Sequence, residues 1–222
     1  AVWKTTDQIP KLMKKNENAV QLIIFDWDGT LCDSLASIVA AFQLSAADIG
    51  FEILKRSEIS QIVGLSLSEA IQILYPDAKT NEIQRFSTLY SKHYRLINDP
   101  VLFPGIERML QNLILSGCLI AVATGKSRQG LKRDLDKLNL AKFFKITKTA
   151  DFSAPKPNPQ MLDEICEEMF IDQGNAVMIG DTDFDVIMAQ NANMRSIAVS
   201  YGAHSKERLL QSIPDIVVSN PI

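Results

Sequence analysis

The sequence predicts an α/β protein: a parallel sheet covered by helices, with an all-helical module inserted after the first strand. Three observations carry this expectation. Short apolar runs with β-branched residues recur along the chain, each followed by a polar or glycine-containing turn and then by a helical pattern; buried strands joined by crossover helices read this way. The interval 34–100 breaks that rhythm and holds only helical periodicity. Finally, 222 residues with 46% hydrophobic and 22% charged side chains suffice for one sizeable core plus a small second module.

Taken in order, residues 1–20 read as an N-terminal extension. Lys4, Lys11, Lys14 and Lys15 lie there without the apolar stretch of a secretory signal, and the missing initial Met points to processing or trimming. Gln21–Phe25 is the first expected strand. Leu35–Ile49 repeats apolar residues at helical spacing, Ser68–Leu74 follows a Ser-x-Ser-Glu start, and Thr80–Ile97 opens on a Thr-x-Glu cap. Pro100, Pro104 and Gly105 mark the return to the main domain. Further strands are expected at Leu119–Ala123, Phe144–Thr147, Ala176–Ile179, Ser196–Val199 and Ile216–Val218. The division is thus 21–33 with 101–222 as the α/β core, and 34–100 as the helical insert.

A formal net charge of −3 gives no general attraction to nucleic acid or to an anionic membrane, so an anionic substrate must be held by local donors. No window approaches a membrane span. Cys32, Cys118 and Cys166 are widely spaced and form no CxxC pair, as expected of reduced thiols in a cytoplasmic protein. Lys126, Arg128, Lys132 and Arg133, interleaved with Asp134 and Asp136, read as a solvated helix face. His93 and His204 have no second histidine at ligand spacing and read as surface or core residues. The absence of GxSxG, GxGxxG and GxxxxGK[ST] speaks against a serine hydrolase, a dinucleotide fold and a P-loop nucleotidase.

In an open α/β sheet, ligands bind at the carboxyl ends of the strands. Asp26 and Asp28 follow the first run, Thr124-Gly125-Lys126 the second, Lys156 the third, and Asp181, Asp183 and Asp185 the fourth. Carboxylates crowded at strand ends are costly unless a cation compensates them, and an all-oxygen set suits Mg2+. Phosphate chemistry at such a cluster requires donors opposite it. Thr124 with the amides of the following turn supplies neutral ones, and Lys156, held in Pro155-Lys156-Pro157, supplies a charge. Thr124 also reads as an ordinary helix N-cap, and Asp183 and Asp185 as residues favouring a helix start through its dipole.

The segments Phe25-Asp26-Trp27-Asp28-Gly29-Thr30, Ala123-Thr124-Gly125-Lys126, Lys156-Pro157-Asn158-Pro159 and Gly180-Asp181-Thr182-Asp183-Phe184-Asp185 together resemble the haloacid dehalogenase (HAD) superfamily. Within it they resemble the phosphoglycolate phosphatase-like group, over roughly 21–220. The resemblance implies a Rossmann-like core with an inserted α-helical cap and Mg2+-dependent hydrolysis of a small phosphorylated metabolite, phosphoglycolate first. It implies Asp26 as the nucleophile that forms an aspartyl-phosphate and Asp28 as general acid and base. Asp26, the Asp28 backbone carbonyl and Asp181 would hold the metal, with Asp185 completing or supporting that shell; Thr124, Gly125 and Lys156 would take the phosphoryl oxygens. Gly29 would allow the turn after Asp28, and cap residues 64–68 would reach the leaving group. Trp27 replaces an expected smaller residue and should point away from the site. Asn193 replaces an expected glycine at a left-handed helix end. Two alternatives remain at this point: a phosphomutase of the β-phosphoglucomutase type, and a non-catalytic interaction protein on the same fold.

Overall fold

The computed structural model describes residues 20–221; the expected extension and its lysines lie outside the described residues except for Val20, which packs into the core. Six strands, β1 (Leu22–Phe25), β2 (Leu119–Thr124), β3 (Ile146–Thr149), β4 (Ala176–Gly180), β5 (Arg195–Val199) and β6 (Ile216–Val218), form one sheet in the order β3-β2-β1-β4-β5-β6. Every pairing is parallel. β1 pairs Leu22 with Leu119 on one side and with Ala176 on the other. The chain reverses its direction of travel across the sheet beside β1, which opens a crevice at that strand's carboxyl end.

Alternation along the strands explains the two faces. Ile23, Phe25, Ile120 and Val122 point to one side, where α5 (Ile106–Leu115) and α6 (Arg128–Leu138) cover them. Leu22, Ile24, Ala121 and Met178 point to the other, under α7 (Gln160–Met169) and α8 (Asp183–Asn191). With both faces buried, the strands carry no polar alternation, which is why they read as continuous apolar runs. The chain closes through β5, α9 (Lys206–Gln211) and β6. The expected strand at Phe144–Thr147 is found two residues later. Phe143 and Phe144 are buried, but from a 3-10 turn (Ala141–Phe143) and the residue after it, whereas the edge strand Ile146–Thr149 is only partly covered.

Between β1 and α5 lie four helices, α1 (Leu35–Ile49), α2 (Arg56–Ser60), α3 (Leu67–Leu74) and α4 (Thr80–Ile97). They bury their own cluster around Phe42, Ile59, Ile71 and Phe86, with the Phe42 and Phe86 rings 4.7 Å apart. Each such side chain contributes about 1.5–3 kcal/mol on burial, enough for a small module to hold its shape. α3 starts at Leu67 because Ser66 is the cap: its Oγ accepts from the Glu69 amide at 3.4 Å and donates to Glu69 Oε2 at 2.7 Å. The expected Thr80 cap is displaced by one residue. Glu82 Oε2 accepts from the Lys79 amide at 2.8 Å, making Lys79 the N-cap and Thr80 the first helical residue. Five-residue α2 is too short and polar to announce itself in the sequence. Asn193 does adopt the left-handed conformation, with φ 53°, beyond the end of α8. Among the described residues no helix is long and apolar enough to cross a membrane.

Candidate active site

Asp26 follows β1, its amide extending the ladder to the Ile179 carbonyl at 2.9 Å. Its carboxylate is buried against Lys156, whose Nζ lies 2.8 Å from Asp26 Oδ1 and 2.6 Å from Asp185 Oδ1. The Asp26 contact has ion-pair distance but falls off the hydrogen-bonding direction, so Oδ1 is a buried oxygen with no hydrogen bond. Desolvation raises the Asp26 carboxyl to about 7; Lys156 opposes that shift and Asp185 adds to it. Burial likewise lifts Asp181 well above the carboxylate range, reinforced by the charges of Asp26 and Asp185. Lys156 is fully buried; burial alone would favour the neutral amine, but Asp185 and Asp26 more than offset it and keep the cation.

Asp181 follows β4 and is aimed by two donors, Thr30 Oγ1 to Oδ1 at 2.8 Å and the Ala203 amide to Oδ2 at 2.7 Å. Gly29 has φ +81°, and a Cβ there would sit 2.1 Å from Asp181 Oδ2; the turn after Asp28 therefore needs glycine for both conformation and space. Asp185 Oδ2 accepts from the Thr182 amide at 3.1 Å and from its hydroxyl at 2.7 Å, a capping box that opens α8 while Oδ1 faces Lys156. Oxygens of Asp26, Asp181 and Asp185 lie within 4.8 Å of one another. Three buried carboxylates faced by a single buried ammonium fit a hard divalent cation.

The Asp28 carboxylate stands apart from this cluster. It is gripped by Lys126, with Nζ at 3.0 and 3.1 Å from its two oxygens. Lys126 also lies 3.2 Å from Asp134 Oδ2. This corrects the reading of both residues as members of a solvated face: Lys126 precedes α6 rather than lying on it, its side chain is 8% exposed, and Asp134 is buried beneath it. Trp27 does point away from the site. It packs into the core and donates Nε1 to Asp134 Oδ2 at 3.1 Å.

Thr124 ends β2, and its Oγ1 accepts from the Lys126 amide at 3.2 Å. The expectation that it also caps the next helix is not met; Ser127 is the N-cap of α6. A Cβ on Gly125 would lie 2.5 Å from the carbonyls of both Gly64 and Leu65, so the loop of the helical module presses directly on this turn. Between the two lies a cavity of about 150 Å³, floored by Asp26, Asp28 and Thr124 and roofed by Phe42, Leu65 and Tyr90. On the far side, Asp183 serves a latch. Against a burial that raises it, the neighbouring His204 and two hydrogen bonds from the Arg208 guanidinium, at 2.7 and 3.0 Å, bring its carboxyl down to about 2; His204 Nδ1 accepts from the Asp183 amide at 3.1 Å, and Arg208 also reaches Gln61 of the module. His204 is thereby a core residue, its Nε2 3.2 Å from the Gln61 carbonyl. Cys32 is buried and its thiol is pushed up to about 12, chiefly by desolvation, which leaves it inert; Cys118 and Cys166 are buried as well.

The haloacid dehalogenase-like hydrolase family model matches residues 23–199, well over half of the chain. The chain belongs to this family. Among curated HAD relatives, "Probable phosphatase IndB" of Dickeya dadantii is 33% identical over 89% of this chain and 88% of its own. A phosphoglycolate phosphatase of Vibrio parahaemolyticus is 26% identical over 90% and 92%. Among solved structures, a "predicted phosphatase" from Clostridium acetobutylicum superposes with a TM-score of 0.81 at 27% identity, covering 90% of this chain and 94% of that one. The HAD sheet and its helical insert, expected from the sequence, are the architecture found here.

Proposed function

We propose that this HAD hydrolase is a magnesium-dependent phosphomonoesterase that acts on a small phosphorylated metabolite through an aspartyl-phosphate on Asp26. The buried carboxylate cluster at the mouth of β1 carries the proposal: oxygens of Asp26, Asp181 and Asp185 lie within 4.8 Å of one another with the one ammonium of Lys156 between Asp26 and Asp185, which leaves negative charge for a divalent cation and for a nucleophile. The phosphatase names of the relatives support it.

In this reading Asp26 attacks phosphorus in line while Asp28 donates a proton to the leaving oxygen; Asp28 then takes a proton from the water that displaces Asp26. Thr124, the amides of its turn and Lys156 hold the phosphoryl oxygens. Asp26, Asp181 and the Asp28 carbonyl would hold Mg2+, with Asp185 supporting the shell by fixing Lys156. When bound, the ion neutralises charge on the phosphoryl group and on the carboxylates. The inserted helices serve as the cap that excludes water and selects the leaving group, with phosphoglycolate the first candidate.

Release of phosphate from p-nitrophenyl phosphate is expected with Mg2+ and lost on chelation, and a panel of phosphorylated metabolites then ranks substrates. No turnover of any ester, or turnover indifferent to chelation, overturns the proposal. Conversion of a hexose 1-phosphate to its isomer without free phosphate moves the activity to a mutase.

A pH dependence follows from the raised carboxyls. With the Asp26 group at about 7 in the folded chain against 3.8 unfolded, the native state binds the extra proton in between, so metal-free stability is full below about pH 4 as far as this group is concerned and falls as pH rises through 7. Mg2+ competes with that proton. Its addition should therefore raise the thermal midpoint more at pH 8 than at pH 5, measured by differential scanning fluorimetry.

A further inference from the structure

We infer that Lys126 is a positioning residue that ties closure of the cap to the aim of Asp28, a role that rests on the proposed use of Asp28 as acid and base. Lys126 is placed for it by the chain: it follows the Thr124-Gly125 turn on which the cap loop presses and precedes the first turn of α6. Its ammonium meets three groups from three parts of the molecule. The Asp28 oxygens lie at 3.0 and 3.1 Å, Asp134 Oδ2 of α6 at 3.2 Å, and the hydroxyl of Tyr94, on cap helix α4, accepts a hydrogen bond at 2.9 Å. The Tyr94 ring also faces the ammonium, 4.4 Å from its centroid.

The other side of this network is anchored. Asp134 accepts from Trp27 Nε1 at 3.1 Å and from Asn98 Nδ2 at 3.3 Å. Asn98 caps the carboxyl end of α4, where the chain leaves the cap for the core. Trp27 precedes Asp28 directly. The cap therefore meets the same buried charge network at Tyr94 and at its hinge. An ammonium has three hydrogens; with the cap shut they are shared among a core acid, the candidate catalytic acid and a cap hydroxyl. Withdrawal of Tyr94 removes the one neutral partner and leaves Lys126 to redistribute between Asp28 and Asp134. The aim of the Asp28 carboxylate thereby depends on where the cap is.

A purely structural lysine would hold α6 to the sheet and affect every substrate alike. Asp28 matters most where the leaving oxygen is a poor leaving group and needs a proton; p-nitrophenolate needs little. Lys126→Met, Tyr94→Phe and Asp28→Asn are compared with the unaltered enzyme on p-nitrophenyl phosphate and on a simple alkyl phosphate, with Mg2+ present. Lys126→Met should lower kcat on the alkyl ester about 10-fold or more beyond its loss on the aryl ester, and Tyr94→Phe should do so in the same direction, about 3-fold or more, with KM changed less. Equal losses on both esters for Lys126→Met overturn the positioning role. An unchanged ratio in Tyr94→Phe, which deletes only a hydroxyl and keeps the core charges, overturns the coupling to the cap, including where Lys126→Met fails to fold. Asp28→Asn is the separate check: if it shows no leaving-group dependence, the acid-base assignment itself falls, whereas selectivity there without selectivity in Lys126→Met removes the Lys126 role alone.

Discussion

Asp26→Asn should abolish phosphate release, lowering kcat by at least about 10⁴-fold, while the protein stays folded. The substitution keeps shape and removes only the charge of the proposed nucleophile. Its expected stability distinguishes this from damage. Because burial already drives the Asp26 carboxyl toward its neutral form, with the group raised to about 7, a neutral amide suits the pocket at least as well as the carboxylate at pH 8. Lys156 retains Asp185 at 2.6 Å. The thermal midpoint of the metal-free variant at pH 8 should therefore equal or exceed that of the unaltered chain, and added Mg2+ should shift it less. Retained activity in a folded Asp26→Asn protein would remove Asp26 as nucleophile.

Lys156→Met should damage both activity and stability, the opposite split. The lysine is fully buried and is the counter-charge 2.8 Å from Asp26 and 2.6 Å from Asp185. Without it three carboxylates share a dry site with no cation. Removing one partner from a buried ion pair typically costs about 3–5 kcal/mol, partly relieved here by protonation of the cluster. Loss of a charge at the transferring phosphoryl group should lower kcat by about 10²–10³-fold. Chemical denaturation with and without Mg2+ is the measurement. The ion should recover part of the lost stability and little of the rate, since it can neutralise carboxylates but cannot stand where Lys156 stands. A variant within 10-fold of normal kcat would place the phosphoryl contact elsewhere.

What the sequence made legible was whatever repeats locally. Strands buried on both faces give apolar runs, and the cap helices give 3.6-residue periodicity, so β1 and α1 were found nearly to the residue. The error at β3 arose because buried aromatics in a turn resemble a strand more than an edge strand does. At the site, the carboxylates were readable because each ends an apolar run. Lys126 and Asp134 were not, since the contacts that bury them come from positions far along the chain: Trp27 meets Asp134 across 107 residues, and Lys126 meets Asp28 across 98. One local clue did exist. Lys126 follows a glycine at a strand end, before any helix begins, so it never belonged to the periodic face of Arg128 and Lys132. Tyr94 has no such clue, since nothing in its own segment marks the hydroxyl as a partner for a core cation.

The indole of Trp27 gives this molecule a built-in optical probe. The chain has two tryptophans, Trp3 and Trp27. With Trp3 replaced by Phe, emission arises from one ring whose Nε1 is hydrogen-bonded to Asp134, the carboxylate that also sits 3.2 Å from Lys126. Indole emission responds to the field along the ring, so a rearrangement of that charge pair changes its wavelength or yield. Substrate binding, and the cap movement proposed above, can then be timed in a stopped-flow instrument without attaching a dye, because the residue beside Asp28 carries the signal.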